Sequence, residues 1–284
     1  MPASLLSAIA NLVSEPMHEL GDFYRNRNRA NAMGDALEEY IKDLFAGTIN
    51  ENDPQVRLEK FSEIFSYSGN TNNPPDIILR DGDAIEVKKI ESPGAEIALN
   101  SSYPKAKLFS DSPMITEACR SCEEWTEKEV MYIIGVVKGK QLKKLYIVYG
   151  TDYAASAETY ERIKNTIRES VNSLADINSA KTDEIGRVNL VDPLGITYLR
   201  VRGMWHIKNP LKVFSYIYSD NKNRDFELMA IINSEKYDSF LESDRRALEL
   251  LSKNNPDFCI TDVKIKTPDN PSKLRLAKLI TYGR

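Results

Sequence analysis

The sequence predicts an α/β (α+β) chain: a mixed central β-sheet flanked by helices, with additional elements toward the C-terminus. Three observations lead there. Helical periodicity near the N-terminus gives way to short β-branched and aromatic runs, then to a second helical stretch and further apolar runs. Two runs in "VMYIIGVVKGKQLKKLYIVYG" are apolar almost without interruption, the pattern of strands buried on both faces. With 284 residues, 42% of them hydrophobic, the chain can bury a full core, and no Gly/Ser or Pro tract marks a linker.

The elements follow in order. "MPASLLSAIANLVSEPMHEL" reads as an amphipathic helix with Leu5, Leu6, Ile9, Leu12 and Val13 on one side. It lacks a basic n-region and reaches Glu15 quickly, so a cytoplasmic chain is expected, and no apolar run has the length of a membrane span. "ANAMGDALEEYIKDLFAG" places Leu37, Tyr40, Ile41, Leu44 and Phe45 at helical spacing, with Gly47 as a stop. A strand is expected at "EIFSYSG", a hairpin from Asp76 to Lys88, and the two buried strands after it. A helix over Ala154 to about Ala175 carries Tyr160, Ile163, Ile167, Val171 and Leu174 on one stripe. Strands are expected at "GITYLRVRGMWHI", "LKVFSYIYS" and "FELMAIINS", then a helix from about Glu235 to Lys253, then a last strand at "DFCITDVKIK".

A net charge of −4 argues against indiscriminate nucleic-acid binding. Basic residues nonetheless cluster at Arg25, Arg27 and Arg29, at Lys138 to Lys144, and from Lys264 to Arg284, each of which also suits a solvated loop or end. Cys119 and Cys122 form a lone C-x-x-C with no second pair at zinc spacing, so ordinary helix residues are expected there. No phosphate-binding glycine loop follows a strand, and no G-x-S-x-G accompanies the two histidines.

The informative stretch is "PPDIILRDGDAIEVKK". A two-residue Asp81-Gly82 turn would mix core and charge on both faces of the hairpin. A three-residue loop, Arg80-Asp81-Gly82, with Gly82 left-handed, pairs Leu79 with Asp83 and Asp76 with Glu86. Ile77, Leu79, Ile85 and Val87 then form one apolar face, while Asp76, Glu86 and Lys88 share the other with Ile78 and Ala84. Opposed side chains there have Cβ atoms ~5 Å apart, so the acids repel unless a cation relieves them. Oxygen-rich pairs of this kind suit Mg²⁺ with a phosphodiester, and Lys88 is placed to steady a developing hydroxide or phosphorane. A partly exposed hairpin with a surface ion pair is the bland alternative.

Pro75-Asp76 followed by Glu86-Val87-Lys88 resembles the PD-(D/E)XK motif of a large nuclease superfamily, and "GDALEEYIKDLF" is similar to its preceding Gly-x-x-x-Glu helix, with Gly34 and Glu38 matching. The wording of "PPDIILRDGDAIEVKKIES" and "IALNSSYPKAKLFSDSPMI" further resembles the NgoPII-type type II restriction endonucleases. The resemblance implies a restriction-endonuclease-like core, with Asp76, Glu86 and the Val87 carbonyl as metal ligands, Lys88 assisting the attacking water, and Glu38, rather than Glu39, as the auxiliary acid. It implies Mg²⁺-dependent cleavage of both strands of double-stranded DNA at GGCC, and a companion DNA methyltransferase. A palindromic site is matched by a homodimer.

One nuclease domain over residues 1–284 is expected, with a catalytic core at about 31–150 and with 151–284 serving DNA recognition and dimerisation. Candidate DNA contacts are Arg25, Arg27 and Arg29; Asn100, Ser101, Ser102, Lys105 and Lys107 in "NSSYPKAKLF"; and Arg200 and Arg202, which suit either DNA or an acidic partner strand. A structure-specific nuclease such as a junction resolvase and a non-catalytic DNA-binding module are the competing readings.

Overall fold

The computed structural model describes residues 3–17, 19–26, 33–70, 73–99, 101–173, 178–179, 184–221 and 223–284. Four helices open the chain: α1 (Leu5–Ser14), α2 (Leu20–Asn26), α3 (Met33–Ala46) and α4 (Pro54–Ile64). There follow β1 (Phe65–Asn70), β2 (Asn73–Leu79), β3 (Ala84–Ile90), β4 (Ile97–Ala98), β5 (Lys107–Phe109) and α5 (Glu117–Arg120). The paired strands β6 (Glu127–Lys138) and β7 (Gln141–Tyr149) lead into α6 (Gly150–Tyr153) and α7 (Ala157–Asn172). Beyond them lie β8 (Asn178–Ser179), β9 (Gly186–Asn189), β10 (Leu199–Val201), β11 (His206–Ile207) and α8 (Pro210–Val213). The chain closes with β12 (Glu227–Asn233), α9 (Ser234–Ser239), α10 (Glu242–Asn254), β13 (Phe258–Lys266) and β14 (Leu274–Gly283).

The main sheet runs β1-β2-β3-β6-β7-β12-β14-β13, with β5 added to the start of β6. It is mixed: β3 with β6 and β7 with β12 are parallel, and its other pairs are antiparallel. Strands from both halves of the chain therefore share one sheet. Its faces bury separate cores. On one, α1 and α3 cover Ile77, Leu79, Ile85, Met131 and Ile133; on the other, Ile78, Ala84, Tyr132, Ile134 and Tyr146 pack together.

Helix α3 has the expected face, with Leu37, Tyr40, Ile41, Leu44 and Phe45 all buried, and it stops at Gly47, whose φ of +65° is left-handed. Its seat on the sheet is a glycine. A Cβ on Gly135 of β6 would lie 2.6 Å from Leu37, so this strand position must be bare for α3 to lie so close.

Several expected elements differ. Residues of "LKVFSYIYS" form α8 and turns instead of a strand, because Asn209 caps Lys212 N–H at 3.1 Å and Pro210 begins the helix. "GITYLRVRGMWHI" contributes only the short β10 and β11, in two small sheets. The helix expected over Glu235 to Lys253 is two, α9 and α10, parted at Phe240 and Leu241, where ψ leaves the helical range. The basic C-terminal end is no loose tail: it supplies β14, seated between β12 and β13. Helix α7 buries none of its residues, so Ile163 and Ile167 of the expected stripe are exposed, while Leu174 lies outside the described residues.

Helix α4, which hydrophobic periodicity does not announce, is set by Asp53 accepting the Gln55 N–H at 2.8 Å and by Pro54 at the first position. It delivers Arg57, whose guanidinium binds Asp43 at 2.7 Å and Glu39 at 2.5 Å. Asp43 is fully buried and also accepts from Thr48 and Tyr24. Replacing Arg57 by Met leaves a buried carboxylate without its cation. Urea unfolding is expected to show Arg57→Met less stable by about 2–4 kcal/mol; a loss below about 0.5 kcal/mol would mean that the two hydroxyls suffice.

Candidate active site

The hairpin adopts the three-residue register. Ile77 pairs with Ile85 and Ile78 with Ala84, Leu79 N–H donates to Asp83 O at 3.0 Å, and Gly82 N–H closes the turn on Leu79 O at 2.9 Å. One detail differs: the left-handed residue is Asp81, with φ +55°, and not Gly82. Aspartate tolerates that conformation better than most side chains. Gly82 serves instead for close approach, since its Cβ would come within 3.0 Å of Leu79 Cβ.

One step beyond the paired residues, the register sets Asp76 against Glu86, and there the ladder opens. Asp76 Oδ2 takes the Val87 N–H at 2.6 Å, so a side chain replaces the backbone acceptor. This holds the carboxylate at the rim between the strands. On the other side of β2, the β1 register shifts between Ser68 and Asn70, and a Cβ on Gly69 would lie 2.4 Å from Pro75 O. Gly69 thus allows β1 to support the residue just before Asp76.

Asp76, Glu86 and Lys88 converge. Lys88 Nζ is 2.6 Å from Glu86 and 3.6 Å from Asp76, with the three side chains 16–25% exposed. Burial first, then the neighbouring Glu86 charge, pushes the Asp76 carboxyl up to about 6 despite Lys88 and the Val87 N–H. Burial alone would lower Lys88, but Glu86 and Asp76 outweigh it and hold the ammonium above its usual range. These residues line a cleft of about 170 Å³, with Asn73, Ser101, Ser102 and Lys105 on its other walls.

The donor set fits a hard divalent cation. Two carboxylates meet at an open rim with their repulsion incompletely relieved, and the lysine between them occupies the position a cation would favour. No group of three or more His, Cys, Asp or Glu able to hold a metal occurs among the described residues, so any ion here would complete its shell with backbone, water or substrate oxygens.

Glu38 approaches from the other layer, on α3. It pairs with Lys42 at 2.8 Å; burial raises its carboxyl and the Asp76 charge adds to that, while Lys42 opposes. Glu39 differs: Arg57 and Lys42 hold it. Of the expected DNA contacts, Ser101, Ser102 and Lys105 share the cleft with the acids. Lys107 is turned to Glu127 at 2.5 Å. Arg200 of β10 and Arg202 just after it both bind Glu184, which precedes β9, an acidic partner within the chain, and their guanidinium groups hold its carboxyl down to about 2. Arg25 lies in α2, and Arg27, Arg29 and Asn100 fall outside the described residues. Cys119 is a buried free thiol and Cys122 meets Ser66.

Sequence reasoning passed over Tyr132. In the parallel β3–β6 ladder it is the partner of Glu86, and its hydroxyl accepts the Lys105 N–H at 2.7 Å and lies 3.3 Å from the Lys105 carbonyl. A tyrosine inside an otherwise apolar strand is a readable signal, because its hydroxyl must find a partner once buried.

Burial and the Glu86 charge disfavour the ionised form of Asp76. Its folded pKa exceeds its ordinary value, so its stabilising contribution is complete below about pH 4 and is lost as pH rises through about 6. Asp76→Asn is therefore expected to raise the unfolding free energy by about 1–2 kcal/mol near pH 7.5, an advantage that shrinks as pH falls from about 6 to 4. Urea titrations across that range check it; an advantage independent of pH would exclude the carboxylate as its origin.

A family profile described as NgoPII restriction endonuclease matches residues 3–266. The chain is 52% identical over 280 residues to the type II restriction enzyme NgoPII of Neisseria gonorrhoeae, spanning 98% of this chain and 99% of that one. No solved structure matches it. With its acids and lysine gathered at one rim of a mixed sheet and nearly all of its length matched to that enzyme, the chain belongs to the NgoPII restriction endonuclease family.

Proposed function

We propose that this restriction endonuclease cuts both strands of duplex DNA at GGCC with Mg²⁺, working as a homodimer in the cytoplasm beside a methyltransferase that protects the same site. The observation that carries the chemistry is the meeting of Asp76, Glu86 and Lys88 in one cleft. Asp76, Glu86 and the Val87 carbonyl would hold the ion, with Glu38 as auxiliary acid through water. When bound, Mg²⁺ would offset charge on the phosphate and acidify a water.

The protein's own groups do the rest. Lys88, kept cationic by its two acids, steadies the hydroxide as the water oxygen bonds to phosphorus. The proton given up by the water passes to solvent, one P–O ester bond breaks, and the departing oxygen takes a proton from solvent, leaving one phosphate end and one hydroxyl end. Asp76, fixed by the Val87 N–H, keeps its carboxylate aimed at the cleft throughout.

A two-fold pair of such clefts would cut the two strands of a palindrome. Among the described residues, exposed large apolar side chains concentrate between 157 and 204: Ile163, Ile167, Leu190, Val191, Leu194 and Ile196 are among them. Such a concentration marks an interaction surface, and the partner proposed for it is the second copy. No helix among the described residues is long and apolar enough to cross a membrane.

Three outcomes are expected. Plasmid digested with Mg²⁺ gives discrete fragments whose sequenced ends lie at GGCC, and Glu86→Ala and Lys88→Ala each slow cutting at least about 100-fold while melting normally. Random ends would remove the specificity, and wild-type rates in both variants would remove the catalytic assignment. In sedimentation, Leu194→Ser with Ile196→Ser is expected to shift the protein to monomer; an unchanged dimer would place the interface elsewhere.

A further inference from the structure

Several lysines withdrawn from water in this protein are paired. Lys42, Lys88, Lys128, Lys144 and Lys236 each contact a carboxylate. Lys105, half-buried on the wall of the active-site cleft, is different: among the described residues no carboxylate oxygen lies within 4.0 Å of its Nζ. Its ammonium rests over the Tyr103 ring, 4.6 Å from the centroid. A lysine drawn from water without an anion is costly, and aromatic contact offsets only part of that cost. Burial and the charge of Lys164 lower its pKa, and the charges of Glu161 and Glu86 do not make up the difference.

The loop bearing Lys105 is fixed from two directions. Tyr132, beside Glu86 in the ladder, holds the Lys105 backbone, and Tyr103 stacks on Tyr160 at 5.3 Å while its hydroxyl donates to Glu161 at 2.8 Å. The same strand register that places Glu86 therefore places the tyrosine that holds Lys105. Such fixation makes sense for a cation that must meet a charge at a set distance from the acids.

We propose that Lys105 is a second catalytic lysine, binding a non-bridging oxygen of the scissile phosphate, and that Tyr132 is its positioning residue. This rests on the nuclease reading above and adds a substrate contact to it. The sequence offered Lys105 only as one of several candidate DNA contacts; its place in the cleft beside Asp76, Glu86 and Lys88 suggests the scissile phosphate as its partner.

The test compares a duplex carrying the recognition site with the same duplex bearing one uncharged methylphosphonate at the scissile position. Binding is measured by anisotropy with Ca²⁺, and single-turnover cleavage of the unmodified duplex with Mg²⁺. Wild type is expected to lose affinity about 10-fold on neutralisation, whereas Lys105→Met and Lys105→Gln lose less than about 3-fold and cut the unmodified duplex at least about 30-fold more slowly. Tyr132→Phe is expected to slow cutting about 10-fold while leaving affinity within about 2-fold. An equal methylphosphonate penalty in wild type and both Lys105 variants, or wild-type cutting by those variants, overturns the proposal. If wild type itself fails to cut, the nuclease reading falls first, so the two failures are distinguishable.

Discussion

Two carboxylates opposed across one hairpin, with a single lysine reaching toward both, constrain the surrounding fold. The pair exists only in the register that a three-residue loop sets, and that register in turn puts Ile77, Leu79, Ile85 and Val87 against the helical layer. Core burial thus enforces the placement of the charges: slipping the strands by one residue would turn the apolar set toward the cleft face and drive the acids into the helical layer. Apolar packing holds like charges together, and the site inherits its geometry from the core.

That arrangement stands apart from the other buried charges. Asp43 is fully buried, yet Arg57, Thr48 and Tyr24 satisfy it. Asp152 is buried with Arg275 at 2.6 Å and Asn233 at 2.9 Å, which ties α6 to β14 and to the end of β12. In these networks each acid has a short contact to a cation and further donors besides. Their function is to join layers. Asp76 instead has one backbone donor and a distant ammonium, and it opens on a cleft.

How far this could be read from sequence depends on the range of the interaction. The α3 stripe, the β6–β7 pair and the hairpin register follow from local periodicity and turn chemistry, and each lies as expected. Glu38 against Glu39 was open to reading because both flank the same stripe; only Arg57, arriving on α4, shows which of them is tied down. Helix α4 carried the signal of Asp53-Pro54, but its weakly apolar face gave no period to detect. Strand β14 was hidden by the basic residues of "LRLAKLITYG", which can stay hydrated beside a strand's buried alternate positions. The Lys105–Tyr132 contact spans 27 residues and two elements, so no local pattern could announce it.

The far end of β3 supplies a control written into the same molecule. Asp83, Glu129 and Lys236 have the composition of the candidate site, two acids and a lysine, and they too border a cleft. There, however, Lys236 Nζ lies 2.6 Å from Asp83 and 2.8 Å from Glu129, and Tyr149 donates to Asp83 at 2.8 Å. Both acids are closed on one cation, and the trio fastens α9 to the hairpin turn. At the other end Lys88 is 2.6 Å from one acid and 3.6 Å from its fellow. The lysine is shared closely by both acids at one site and leans to a single acid at the other. Residue types alone would have ranked the two trios equally; what distinguishes them is which carboxylate the protein leaves under-compensated.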